Sequence, residues 1–177
     1  MNKTIKEASI ILFASIVLGF IANAVSPKGV PLIADYSERF AIDTSKAVEK
    51  IDLSKRGKLN KGGFYEPVNI PLEAAKQLFD ENAVFIDGRE DSEFREGHIK
   101  GATNIPYKSF LESTSEQKLE TMKNIGKEKI IVSYCSSDSC EISIDNAYEM
   151  AKIGYNDVKI FLGGYKEWKN KDYPIEK

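Results

Sequence analysis

Two cysteines are the residues of this chain best suited to covalent chemistry. Cys135 directly follows a run of β-branched residues, and Cys140 closes a short loop after it. A thiol that opens a loop between a strand and the N-terminus of a helix faces backbone N–H groups and the positive end of the helix dipole. Such positions lower a thiol pKa from about 8.5 to between roughly 3.5 and 7.5. The sequence therefore predicts that Cys135 is a nucleophile, the alternative being a small buried residue at a strand end.

The loop after Cys135 is compact and rich in serine, which leaves space for a substrate. The only charge between the two cysteines is the carboxylate of Asp138. The predicted active-site loop consists of Cys135, Ser136, Ser137, Asp138, Ser139, Cys140 and Glu141.

Strands and helices alternate on both sides of this loop. The β-branched run at 129–134 is typical of a buried strand, and apolar side chains at helical spacing predict a helix over 141–153. Further strands are predicted at 68–70, 83–86, 103–105 and 158–162, and further helices at 71–81, 108–112, 115–124 and 165–170. This alternation predicts an α/β fold with a mainly parallel sheet covered by helices on both faces. Ligands of such sheets bind at the carboxyl ends of the strands, where Cys135 lies.

The composition excludes several classes of site. The 177 residues include one histidine and two cysteines, so a metal centre with several imidazoles or four thiolates cannot form. The formal net charge of −2 offers no basic surface to a phosphate backbone. We therefore expect no metal, no cofactor and no nucleic-acid partner.

The N-terminus has a different character from the rest of the chain. An apolar run at residues 8–25 follows Lys3 and Lys6, and a helix of this length spans roughly 27 Å, close to the hydrocarbon core of a membrane. An uncleaved anchor fits, as does a signal peptide with a small-residue cleavage site at 22–24. Either one places the rest of the chain outside the cytoplasm, in the periplasm, where nearby cysteines can pair.

Three regions are predicted along the chain. Residues 1–27 form the anchor or signal peptide, residues 28–63 a membrane-proximal spacer with a short helix at 45–51, and residues 64–177 the domain. Proline and glycine punctuate the spacer, which is why its pattern is weak.

Several motifs of the domain resemble those of rhodanese-like sulfurtransferases, and they occur in the family's order. The resemblance is carried by Ile86-Asp87-Gly88-Arg89, Glu93-Phe94, Gly97-His98-Ile99, Gly101-Ala102, Tyr134-Cys135 with its loop, Gly163-Gly164-Tyr165, Trp168 and Tyr173-Pro174. It implies a five-stranded parallel sheet flanked by helices and a Cys135 that carries a persulfide. It further implies that Asp87 and Arg89 support the site, either as a structural brace or by contact with substrate, and that His98 belongs to the scaffold.

The loop departs from the family pattern at its sixth position. Thiosulfate-using members often close the loop with arginine, whereas this chain has Cys140 there and the acidic Asp138 before it. Because a carboxylate repels a dianionic donor, the sequence disfavours thiosulfate as the natural donor. Cys140 itself could be a resolving thiol, part of a permanent disulfide, or inert.

The functional prediction is a rhodanese-like sulfurtransferase that acts outside the cytoplasm. Its partners are a small-molecule or protein sulfur donor and a thiol acceptor, and residues 8–25 associate it with the membrane. Two alternatives remain open: a thiol–disulfide redox protein that uses Cys135 and Cys140, and a catalytically inactive rhodanese-fold binding module.

Overall fold

The computed structural model describes residues 3–25, 53, 55–136 and 141–177. Outside them lie the predicted helix at 45–51, most of the predicted spacer, and Ser137–Cys140 of the predicted loop. The helices are α1 (Lys3–Val25), α2 (Leu72–Asp80), α3 (Asp91–Glu96), α4 (Tyr107–Glu112), α5 (Ser115–Thr121), α6 (Ile142–Lys152) and α7 (Gly164–Asn170). The strands are β1 (Val68–Ile70), β2 (Val84–Asp87), β3 (His98–Ile99), β4 (Thr103–Asn104), β5 (Ile131–Tyr134), β6 (Val158–Phe161) and β7 (Ile175–Glu176).

Helix α1 is apolar over almost its whole length. Its segment Ile5–Asn23 is long and apolar enough to cross a membrane or to act as a signal sequence, and none of it is buried. The predicted N-terminal hydrophobic helix is therefore confirmed.

Five strands form one sheet in the order β1-β6-β5-β2-β4, and all four pairings are parallel. Strand β5 lies at the centre, with Tyr134 opposite Asp87 on β2 and opposite Phe161 on β6. The carboxyl ends of these three strands are therefore adjacent. The predicted five-stranded α/β fold is confirmed.

The side chains of β5 alternate between two cores. Ile131 packs on one face with residues of α4 and α6, including Phe110 and Ile144. On the other face, Val132 and Tyr134 pack with residues of α2 and α7. Apolar side chains of β5 therefore pack against helices on both sides of the sheet.

Trp168 of α7 forms the centre of the second core. Its side chain is fully buried and makes edge or tilted contacts with four aromatic rings. These rings belong to Phe79, Phe85, Phe161 and Tyr173. Its indole Nε1 donates a hydrogen bond to the carbonyl of Pro174 at 3.0 Å, which satisfies the polar group of a buried ring.

Two features of the fold differ from the expectations for residues 88–100 and for the C-terminus. Residues 91–96 form helix α3, and β3 pairs antiparallel with β7. The sequence predicted only turn-rich chain for residues 88–100, because α3 buries no residue and therefore has no apolar period to detect.

Residues before β1 contribute to the core around Trp168. Leu53 is buried in the cluster around Trp168. Lys159 of β6 is almost fully buried, and its Nζ donates to the carbonyl of Lys55 at 2.7 Å and lies 2.8 Å from Asp157 Oδ1. These contacts hold the chain around residue 55 against β6.

Candidate active site

Cys135 is the first residue after β5, so it lies where the carboxyl ends of the three central strands meet. Its side chain is fully buried, and the residue is disulfide-bonded. The other cysteine of the chain, Cys140, belongs to Ser137–Cys140, outside the described residues. Glu141 is described and lies exposed at the start of α6, where its carbonyl accepts from the amides of Ile144 and Asp145.

The backbone around Cys135 is held by the first turn of α7. The amide of Tyr165 donates to the carbonyl of Cys135 at 2.8 Å, and the amide of Lys166 donates to the carbonyl of Ser136 at 3.0 Å. The first amides of a helix have no partner within the helix. Because the loop supplies those partners, the position of Cys135 and the start of α7 are fixed together.

The side chain of Cys135 faces α6. Its Sγ lies 3.8 Å from the Oγ of Ser143, in the first turn of α6. Ser133 is two residues earlier on β5 and therefore points to the same face. Its hydroxyl donates to the carbonyl of Ser143 at 2.9 Å. The side chains of Ser133 and Cys135 thus contact one buried serine of α6.

Asp87 and Arg89 form a buried ion pair at the carboxyl end of β2. The guanidinium Nε of Arg89 lies 3.0 and 3.1 Å from the two carboxylate oxygens, and a terminal nitrogen donates to Oδ2 at 2.6 Å and to the carbonyl of Gly97 at 2.8 Å. The guanidinium also lies over the ring of Tyr165, 4.4 Å from its centroid. Burial opposes the charge of Arg89, but the bonds and charge of Asp87 prevail and raise its pKa.

Tyr134, the residue before Cys135, lies beside this ion pair. Burial and the charge of Asp87 raise the pKa of Tyr134 well above its usual value, so the hydroxyl stays protonated. That hydroxyl bonds to the Asp87 carboxylate and accepts from the amide of Ile99 at 3.2 Å. Asp87 lies opposite Tyr134 in the register of β2 and β5, so its side chain is on the face of the sheet opposite the side chains of Ser133 and Cys135.

His98 is held in a structural setting away from the sulfur. Its Nδ1 lies 2.9 Å from the carbonyl of Phe94, and its Nε2 lies 3.3 Å from a carboxylate oxygen of Glu176 on β7. The imidazole also stacks on the ring of Phe94. Both ring nitrogens are engaged by these neighbours, in keeping with the predicted scaffold role.

Two residues near the loop were not predicted from the sequence to belong to the site. Ser143 is one, although it shares a helix face with the buried residues Ala147 and Met150, and a polar residue on such a face is a usable signal. Glu93 is the other: its carboxylate accepts from the hydroxyl of Ser136 at 3.2 Å on the exposed side of the loop. No signal in the sequence connects Glu93 to Ser136. Within the described ranges, no three His, Cys, Asp or Glu side chains are grouped so as to hold a metal ion.

Comparison with known proteins places this geometry in a family. The model of the rhodanese-like domain matches residues 71–171. A chloroplast protein of Arabidopsis thaliana, rhodanese-like domain-containing protein 15, is 23% identical over 175 residues, which cover 90% of this chain and 93% of the relative. The thiosulfate:glutathione sulfurtransferase of Saccharomyces cerevisiae is 30% identical over 98 residues, 50% of this chain and 66% of the yeast protein.

A solved structure supports the same fold. The crystal structure of the BH2092 protein from Bacillus halodurans aligns with a TM-score of 0.53 at 23% identity, covering 62% of this chain and 76% of that one. The family model spans more than half of the chain, including the strands and helices that position Cys135. The chain therefore belongs to the rhodanese-like domain family.

Proposed function

We propose that this protein is a sulfurtransferase that carries sulfane sulfur as a persulfide on Cys135. The observation that carries the proposal is the position of Cys135 at the carboxyl end of the central strand, with its backbone fixed by the start of α7. Distant sulfurtransferase relatives support the same class of reaction. Asp87 and Arg89 act as a brace beside the loop, because Arg89 holds the carbonyl of Gly97 and lies over the ring of Tyr165, whose amide donates to the carbonyl of Cys135.

The transfer consists of two displacements at sulfur. The thiolate of reduced Cys135 attacks the terminal sulfur of a sulfane donor, forming a new S–S bond while the donor leaves with the electron pair of the broken bond. An acceptor thiolate then attacks the terminal sulfur of the Cys135 persulfide. The acceptor leaves as a persulfide, and the thiolate of Cys135 is regenerated.

Cys140 provides a second reaction that removes the sulfane sulfur from Cys135. Its thiolate attacks the Sγ of the Cys135 persulfide, a disulfide forms between the two cysteines, and sulfide takes up a proton and leaves as HS⁻. The two thiols lose two electrons and the sulfane sulfur gains them. An external thiol reductant must then reduce the disulfide before another sulfur atom can load. The disulfide-bonded Cys135 is compatible with this resting state.

Sulfur loading tests the proposal directly. Full-length Cys140→Ser, reduced and freed of reductant, cannot resolve a persulfide and is expected to gain the mass of one sulfur atom on incubation with inorganic polysulfide, whereas Cys135→Ser is expected to gain none. Intact mass spectrometry measures both. The wild-type protein is expected to release the loaded sulfur as sulfide and to end with a disulfide. The proposal fails if Cys140→Ser gains no sulfur or if Cys135→Ser gains as much.

A thiol–disulfide redox protein is the second candidate function, and the disulfide on Cys135 favours it. Such a protein would exchange its disulfide with glutathione but would release no sulfide from a sulfane donor. Assays of both activities on one preparation separate the candidates. A binding module without activity would lack both, and its cellular function would survive Cys135→Ser.

We also propose that α1 anchors the domain outside the cytoplasm, with Lys3 and Lys6 on the cytoplasmic side. The apolar, unburied segment Ile5–Asn23 supports this, and a signal peptide removed after residue 24 is the alternative. The protein isolated from membranes is expected to retain the complete α1 by intact mass, with the domain accessible to protease added outside the cell membrane. A mature protein that begins at Val25 would overturn the anchor, and a protected domain would overturn the orientation.

A further inference from the structure

Ser143 is a fully buried serine that contacts the sulfur of the proposed nucleophile. Its Oγ lies 3.8 Å from Cys135 Sγ, at hydrogen-bonding distance for sulfur. A disulfide sulfur has no hydrogen to donate, so the hydroxyl is the donor in this contact. Neither the spacing of residues in the sequence nor the family resemblance predicts a role for Ser143.

The position of Ser143 is fixed independently of the sulfur. The hydroxyl of Ser133 donates to the carbonyl of Ser143 at 2.9 Å, and Ser133 is itself fully buried. This contact ties the first turn of α6 to β5 two residues before the cysteine.

We infer that the Ser143 hydroxyl is a hydrogen-bond donor to the anionic sulfur of reduced Cys135 and of its persulfide. The catalytic role of this hydrogen bond rests on the proposed function. The contact between Ser143 and Cys135 does not, because the structure shows it directly. An apolar buried site raises the pKa of a thiol, since it offers no substitute for water. A hydroxyl aimed at the sulfur favours the thiolate and opposes that effect, because hydrogen bonds to ionised groups are stronger than neutral ones.

The charged groups near Cys135 do not replace this donor. Asp87 and Arg89 are paired with each other on the opposite face of the sheet. Glu93 accepts from the hydroxyl of Ser136, and Glu141 is exposed at the start of α6. Carboxylates at these positions raise a thiol pKa and do not lower it. Among the described side chains, the hydroxyl of Ser143 is therefore the neutral donor placed at the sulfur.

The test measures the ionisation of each cysteine in the reduced full-length protein. Because Cys135 is buried, an alkylating reagent would report access as well as ionisation, so the Cβ chemical shifts of isotope-labelled cysteine are followed by NMR across the pH range. The spectrum of Cys140→Ser assigns the two signals. Ser143→Ala is expected to raise the Cys135 midpoint by about one pH unit, a tenfold loss of thiolate below the midpoint, and to leave the Cys140 midpoint unchanged.

Ser143→Thr is the matched control. It keeps a hydroxyl at the same position, so the Cys135 midpoint should stay within about a few tenths of a unit. The inference is overturned if Ser143→Ala leaves the midpoint unchanged, or if Ser143→Ala and Ser143→Thr raise it equally. If Ser143→Ala does not fold, Ser143→Val takes its place, because valine and threonine have nearly the same shape and only threonine has the hydroxyl.

Failure of the proposed function is separable from failure of this inference. A protein that takes up no sulfur from polysulfide but shows the Ser143-dependent midpoint loses the sulfurtransferase proposal and keeps the hydrogen bond. A protein that loads sulfur with an unchanged midpoint in Ser143→Ala keeps its function and loses the role of Ser143.

Discussion

Asp87→Asn is expected to lower the free energy of unfolding of the domain by about 3 to 5 kcal/mol, because it leaves the guanidinium of Arg89 buried without a counter-charge. Asp87 is fully buried and Arg89 is 5% exposed, so water cannot replace the lost carboxylate. A loss of this size is a large part of the total stability of an ordinary domain. Urea unfolding followed by the fluorescence of Trp168, the only tryptophan in the sequence, measures it.

An exposed ion pair provides the control for this change. Asp91→Asn removes the partner of Arg95 in a pair whose side chains are 58% and 76% exposed. Water screens such a pair, so a loss below about 1 kcal/mol is expected. Equal losses from Asp87→Asn and Asp91→Asn would show that the buried pair does not brace the domain.

Cys140→Ser is expected to leave the persulfide on Cys135 and to reduce sulfide release by more than about tenfold in the absence of an added thiol. The reason is that a thiol in the same loop attacks at a high effective concentration, and serine cannot take its place. A single turnover of reduced protein with polysulfide, with released sulfide and intact mass recorded together, measures both quantities.

The two cysteine variants distinguish loading from release. Cys135→Ser should neither load sulfur nor release sulfide, whereas Cys140→Ser should load and retain it. Sulfide release at the wild-type rate from Cys140→Ser would mean that another thiol resolves the persulfide. Cys140 would then be a structural or inert residue, as the sequence left open.

Patterned segments account for the parts of the fold that the sequence predicted. The β-branched run at 129–134 and the apolar run at 158–162 became β5 and β6, each shortened at an end where the chain enters a turn. The pairing of β3 with β7 could not be predicted, because Ile175–Glu176 is exposed and lies far along the chain from His98–Ile99. A strand of two residues has no periodicity of its own.

The sequence predicted the part of the candidate site that depends on a local pattern of residues. The position of Cys135 after a strong strand is a local property, and the sequence is sufficient to find it. Cys135 also contacts Ser143 of α6, and its carbonyl accepts a hydrogen bond from the first turn of α7. Both contacts depend on how the helices pack on the sheet, and the spacing of residues along the chain does not determine that packing. The supporting role of Asp87 and Arg89 was inferred by resemblance, while their ion pair and its connection to Tyr134 required the structure and the parallel register of β2 and β5.

The buried ammonium of Lys159 sets a limit on how short an independently folding fragment can be. Its Nζ bonds to the carbonyl of Lys55, well before residue 71, where the family match begins. A fragment that starts at residue 71 would remove that oxygen and the buried side chain of Leu53, and would leave a cation in the interior with Asp157 alone beside it. The smallest piece of this chain that folds by itself should therefore begin upstream of Leu53.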